Sequence, residues 1–232
     1  MKVSSGVDLH HSVSAGPWKE LNVLQSATDD EFQRQRRLHR KKVGCRPGCV
    51  ACCHAPFSIS EIEAATIDRE LKTLDLQLQQ RLRESALEYL VRRKSVLEEH
   101  GYREGRGELV PHEMRLPCPA LINEHCTVYR ARPTLCRAYG VAVMHANYSD
   151  RVFACQLNFA PGEQIQDANL TKRQTHLAQQ KATADRVYSE TGGKRYHEPI
   201  TVAHALVEDF ETCLPTEYTA AGVERQPQRR RR

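Results

Sequence analysis

Eight of the nine cysteines in this chain sit in or near two short runs: Cys45, Cys49, Cys52 and Cys53, then Cys118, Cys126 and Cys136, with Cys155 beyond. Four thiols within nine residues, two of them adjacent, make a poor core and a good cage. Thiolates are soft, anionic donors that suit zinc or iron–sulfur centres, and such centres need several sulfurs at one point. The competing use, a disulfide framework, belongs to exported chains. The first twenty residues lack the basic start and apolar run of a secretory signal. A cytoplasmic, reduced protein is therefore expected, and in that setting clustered cysteines read as metal-binding or catalytic.

The spacing also constrains local shape. Positions 45, 49, 52 and 53 would share one face of an ideal helix, but Arg46, Pro47 and Gly48 interrupt it. Proline steers Arg46 away from the helical conformation, and Pro-Gly suits the two central positions of a type II turn. Such a turn folds Cys45 toward Cys49, and Val50 to Cys53 can then close as one helical turn. The sequence predicts a loop-plus-turn cage.

The stretch Cys45-Arg-Pro-Gly-Cys-Val-Ala-Cys-Cys53 resembles the Cx3Cx2CC signature of the YkgJ-type zinc- or iron-chelating cysteine-cluster family. Cys118-Pro-Ala-Leu, His125-Cys126-Thr-Val-Tyr129, Arg132-Pro133 and Cys136-Arg137 resemble its second half, in order. The resemblance covers about 45–140 and implies a bound metal centre, zinc or iron–sulfur by member. The flagellin lysine methylases carry a similar cysteine motif, which implies an iron–sulfur centre. Nothing outside the cysteines carries their activity over to this chain.

The rest of the 232 residues predicts a mainly α-helical domain around an irregular cysteine-rich core. Residues 1–28 read as a flexible leader, 29–214 as the metal-binding domain and 215–232 as a disordered basic tail. One helix is expected from about Asp29 to Lys42, acidic at its start and basic at its end. Ser58 or Ser60, each followed three residues later by glutamate, opens the next, to about Thr73. A longer helix from about Asp75 to Glu99 would pack back on it as an amphipathic hairpin through Leu71, Leu74, Leu78, Leu82, Leu90 and Leu97. Residues 101–117 read as a surface loop. A short helix is expected after Pro133, and a small β-hairpin from Val141–His145 and Arg151–Cys155. Helices over about 168–189 and 202–212 complete the expectation.

The seven motif cysteines and Cys155 are the candidate metal ligands, while Cys213 reads as a core residue. Eight thiolates could fill two four-coordinate zinc sites, or one cubane cluster and one zinc. A four-thiolate centre carries net negative charge. Arg132 and Arg137 are expected to offset it by donating to the sulfurs, with Arg46 and Arg130 also near in sequence. His54 and His125 adjoin ligands and are weaker candidates; Tyr129 and Tyr139 are expected to pack beside the centre.

No phosphate loop, nucleophile elbow or His-Glu-x-x-His helix is present, so no catalytic residues are assigned. No apolar run approaches the ~18 residues of a membrane span. Arg36, Arg37, Arg40, Lys41, Lys42 and the four terminal arginines invite a nucleic-acid reading. A net charge of only +5 and 6% aromatic content weigh against it. A structural or redox metal centre ranks first, a metal-dependent modifying enzyme second, and a zinc-stabilised adaptor for nucleic acid or protein third.

Overall fold

The computed structural model describes residues 16–46, 48–99, 114–144, 152–160, 163–165, 170–192 and 199–210. Residues 1–15 of the expected leader, Cys213 and the basic tail lie outside them. The fold is mainly helical: α1 (Pro17–Leu38), α2 (Glu61–Leu71), α3 (Leu76–Glu99), α4 (Thr134–Ala138), α5 (Leu170–Glu190) and α6 (Val202–Val207). Two antiparallel ribbons accompany them, β1 (Leu121–Ile122) with β2 (His125–Cys126), and β3 (Val143–Met144) with β4 (Val152–Phe153).

Helix α1 corrects the expected leader over residues 17–28. Pro17 opens the helix at a position where its fixed φ fits and its missing N–H costs nothing. Leu21, Leu24, Thr28, Glu31 and Gln35 then recur at three- and four-residue steps on one buried face. The polar half of that face lies in the helix expected from Asp29, and the structure extends it back through Leu21 and Leu24. Gln35 is fully buried because its amide acts as a strand edge: it donates to the Ala142 carbonyl (2.9 Å) and accepts from the Ala142 N–H (3.0 Å). Trp18 packs on the core, with the Arg69 guanidinium 4.1 Å from its ring. The helix ends at Leu38, with Arg36 and Arg37 in its last turn, so Arg40, Lys41 and Lys42 follow it.

Ser60, not Ser58, caps α2. The Glu63 carboxylate returns to the Ser60 N–H at 3.0 Å, completing the capping box. Its other oxygen accepts the Thr134 N–H at 2.7 Å, the first amide of α4. One buried carboxylate thus serves two helix starts. Burial opposes its ionisation, but the Lys181 charge and the bonds from Ser60 and Thr134 outweigh burial and hold Glu63 below the usual carboxylate range.

The α2–α3 pair is not a simple hairpin. Helix α6 packs against both, and α1 packs on α4 and α5. Asp68 of α2 accepts the Phe210 N–H at 2.9 Å, and Ile59 pairs with Ile200, so the chain after α5 is fastened to both ends of α2. Of the expected leucine face, Leu71 and Leu82 are buried, while Leu74, Leu78 and Leu90 only lean on the core.

The β3–β4 ribbon occupies the expected place. The ribbon of β1 and β2 was not expected. Its two-residue connection, Asn123 and Glu124, has φ of 49° and 60°, the double left-handed geometry of a type I′ hairpin. Glutamate there gives no sequence signal.

The expected surface loop is also corrected at its end: Met114 and Leu116 are each 3% exposed. Residues 101–113 lie outside the described residues.

Leu82 is fully buried on α3, remote in sequence from the cysteines. Leu82→Ala should lower unfolding free energy by about 2–5 kcal/mol with metal content unchanged. Denaturant melts and metal analysis check this; a loss below about 1 kcal/mol would deny α3 its place in the core.

Candidate metal centre

The first cysteine run has the predicted shape. The Cys49 N–H donates to the Arg46 carbonyl at 3.0 Å, and Gly48 has φ 87°, the left-handed third position of a type II turn. A 3-10 turn follows over Ala51–His54, with the Cys53 N–H on the Val50 carbonyl at 2.9 Å.

The second run is bound directly to the first. Cys118 N–H donates to the Cys53 carbonyl at 2.6 Å, and Leu116 N–H donates to the His54 carbonyl at 3.0 Å. This antiparallel contact needs an extended segment at 116–118, which explains the burial of Leu116. From there the β1–β2 ribbon returns Cys126, Thr127 closes it onto the Ala120 carbonyl, and α4 presents Cys136 under the cap of Glu63.

Five thiols gather here: Cys52, Cys53, Cys118, Cys126 and Cys136. The Cys52 and Cys53 sulfurs lie 4.0 Å apart and share a hydrogen bond. That bond, more than any other influence, brings Cys52 down to about 7, with the Arg132 charge assisting. Cys53, left holding the proton, is pushed far up. Burial pushes Cys118 up to about 12 and Cys136 well above its ordinary value, and the charges of Cys52 and Cys126 raise both further. Cys126 is raised by burial as well.

Cys45, Cys49 and Cys155 stand to one side. Cys45 is within electrostatic range of the other two and of Cys52, and burial raises it while Asn158 works against the rise. Asn158 is a clamp that sequence reasoning missed. Its amide donates to the Cys45 sulfur (3.4 Å) and the Gly140 carbonyl (2.5 Å), and accepts the Gly44 N–H (3.1 Å). Gly140, also missed, has φ 106°, and a Cβ there would lie 2.4 Å from the Cys45 sulfur. Only a residue without a side chain lets that thiol sit where it does. A glycine following Tyr139 was the one available hint.

The arginines depart from expectation. Arg137 donates to the Asp29 carboxylate (2.7 Å) and to the carbonyls of Arg132 (3.2 Å) and Arg130 (2.9 Å), bracing the backbone around the sulfurs. Arg132 lies 4.1 Å over the exposed Tyr129 ring and 3.5 Å from Asp29, and its charge favours the thiolates of Cys52 and Cys126. His54 and His125 each hold a backbone carbonyl through Nδ1, at 3.1 Å and 2.6 Å. Tyr139 is half-buried beside Cys155.

Among the described residues, no three Cys, His, Asp or Glu side chains already surround a point as donors to one metal ion. Ligation therefore requires the free thiols to draw together. The donor set fits that step. A tetrahedral ion with bonds of about 2.3 Å to sulfur needs sulfurs about 3.8 Å apart, near the Cys52–Cys53 separation. The buried Nε of Arg132 and Oγ1 of Thr134, beside these cysteines in the chain, have no hydrogen-bond partner, and an anionic metal–thiolate group would supply acceptors.

A family model described as "CxxCxxCC: Putative zinc- or iron-chelating domain" matches residues 44–181, and the chain belongs to this family. The match runs beyond the cysteines into α5, which carries Lys181. No curated protein and no solved structure matches the chain. Among the described residues, no helix is long and apolar enough to cross a membrane.

The Asn158 clamp is testable. Asn158→Ala removes three hydrogen bonds and should cost about 1–3 kcal/mol in denaturant unfolding. Gly140→Ala should cost at least as much, because both the backbone and the Cys45 thiol must move. Two variants within about 0.5 kcal/mol of the parent would contradict the clamp.

Proposed function

We propose that this protein holds a structural or redox metal centre, zinc or an iron–sulfur cluster, through its motif cysteines. Cys52, Cys53, Cys118, Cys126 and Cys136 are the inner donors. The observation that supports the reading is the junction of the two cysteine runs: the Cys118 N–H is hydrogen-bonded to the Cys53 carbonyl, and Cys53, Cys118, Cys126 and Cys136 all lie within electrostatic range of Cys52. Buried neutral thiols do not require such crowding, whereas a thiolate-held cation does.

The centre would supply either an inert cross-link, with zinc, or an electron-transfer site, with iron and sulfide. The chain's own contribution is positional. Glu63 fixes α4 and hence Cys136, Arg137 braces the 130–132 backbone, and Arg132 offsets charge at Cys52 and Cys126. The Cys118 and Cys136 protons must leave before either sulfur can bind a cation. Affinity should therefore rise with pH, by up to about tenfold per proton displaced for each unit.

The measurement is anaerobic purification followed by metal and sulfide analysis. Cys118→Ser and Cys136→Ser should each lose metal and melt at lower temperature, because binding energy is coupled to folding. Apparent affinity for added Zn2+ should tighten from pH 6 to 8, a range that lies below the ordinary thiol titration at about 8.5, where each bound thiolate still displaces a proton. Full metal content in both variants, or affinity independent of pH, would refute the proposal.

A further inference from the structure

Helix α3 packs on α6, with Gln79, Leu82, Ala86, Tyr89 and Arg93 buried. Its outer face is not uniformly polar. Leu76, Leu87 and Val91 are 80%, 56% and 72% exposed, and their spacing sets all three on one stripe of the helix. Exposed apolar side chains scattered singly are ordinary, but three aligned on one face form a patch of the kind that takes a partner. From Gln80 onward the stripe runs through Glu84, Leu87, Val91, Lys94 and Glu98, all exposed, in alternating steps of four and three. That is the seam by which two helices pack side by side at a shallow angle of about 20°.

We infer that this face is covered by a second copy of the chain, its α3 laid antiparallel so that Leu87 meets the partner's Val91 and Glu84 meets the partner's Lys94.

The order of side chains along the seam selects that occupant. Glu84 and Lys94 flank the Leu87–Val91 pair at equal distance, and they carry opposite charge. Turning the helix end for end exchanges acid for base, so a two-fold axis midway between Leu87 and Val91 satisfies both ends at once. Gln80 and Glu98 fall opposite each other in the same register, amide against carboxylate. A parallel pairing would set Glu84 on Glu84 and Lys94 on Lys94, and like charges repel. Within one helix the two cannot meet, because ten residues separate them by about 15 Å. Glu84 is already oriented, since its carboxylate accepts the Gln80 amide at 2.8 Å. A contact of one helix face per copy lies at the low end of interface sizes, below ~1,200 Å2, so the association should be reversible and concentration-dependent. Helix α3 carries no cysteine, so the dimer and the metal centre can fail separately.

The test is sedimentation equilibrium of the full chain, kept reduced so that no disulfide joins two copies. The mass should pass from one chain toward two as concentration rises. Leu87→Glu should remain a single chain, and because Leu87 is exposed its thermal melt at low concentration should match the parent. Glu84→Lys and Lys94→Glu should each weaken dimerisation about fivefold or more, since each puts like charges together at both ends of the contact. The chain carrying both exchanges should recover the parent's affinity, a rescue that only an acid on one copy against a base on the other can give. The two charge variants keep the test informative if Leu87→Glu does not fold. A parent that stays a single chain at every concentration, or a dimer indifferent to Leu87→Glu, would overturn the inference. So would a double exchange no tighter than the single ones. A single chain whose Leu87→Glu variant melts well below the parent would assign the face to another part of the same chain, which also overturns it.

Discussion

The hydrogen bond from the Cys118 N–H to the Cys53 carbonyl is the contact on which the rest of this structure depends. The two cysteine runs are separated by the whole of α2 and α3, and a flexible chain pays entropy to bring such distant segments together. The helices meet that requirement. Helix α2 begins just after the first run and reaches across to α4 through Glu63, so the element that leaves one set of cysteines also positions the last cysteine of the other. Helix α1 lies against α4 and α5, and its Asp29 receives Arg137 and Arg132. Around one backbone junction, carboxylates and guanidinium groups set the positions of the sulfurs.

The same arrangement sets the thiols in electrostatic tension. Thiols at Cys118, Cys126 and Cys136 are pushed toward the neutral form by burial, yet Cys52 is held near ionisation by the proton of Cys53. Under the proposed reading, one thiol near ionisation among reluctant ones would offer a cation a first ligand, and the cation's charge would lower the cost of deprotonating the others. The buried, unpartnered Nε of Arg132 belongs to this picture as a donor whose acceptor would arrive with the metal.

Much of this was legible in the sequence because the signals were local. Pro-Gly between Cys45 and Cys49 announced the turn, the Ser60–Glu63 spacing announced the cap, and β-prone runs announced the β3–β4 ribbon. The family followed from cysteine spacing. What escaped was set by distant partners. Gln35 is buried because Ala142, far along the chain, needs a hydrogen-bonding edge, a partner that nothing in the expected helix over 29–42 announces. Leu116 is buried because its N–H meets His54. Arg137 follows a candidate ligand in sequence, yet α4 turns it toward Asp29 and away from the sulfurs. Gly140 and Asn158 matter only because three segments cross at Cys45. Local chemistry named the candidate donors, and tertiary contacts chose which of them stand together.

X-ray absorption at the metal edge of the anaerobically purified protein tests the central claim most directly. The account predicts a stoichiometric metal whose nearest shell is sulfur at about 2.3 Å. Cys118→Ser should lose that shell, since it would remove an inner donor. A nearest shell dominated by nitrogen or oxygen at about 2.0–2.2 Å, or a spectrum unchanged in Cys118→Ser, would contradict the claim that the joined cysteine runs are the metal centre.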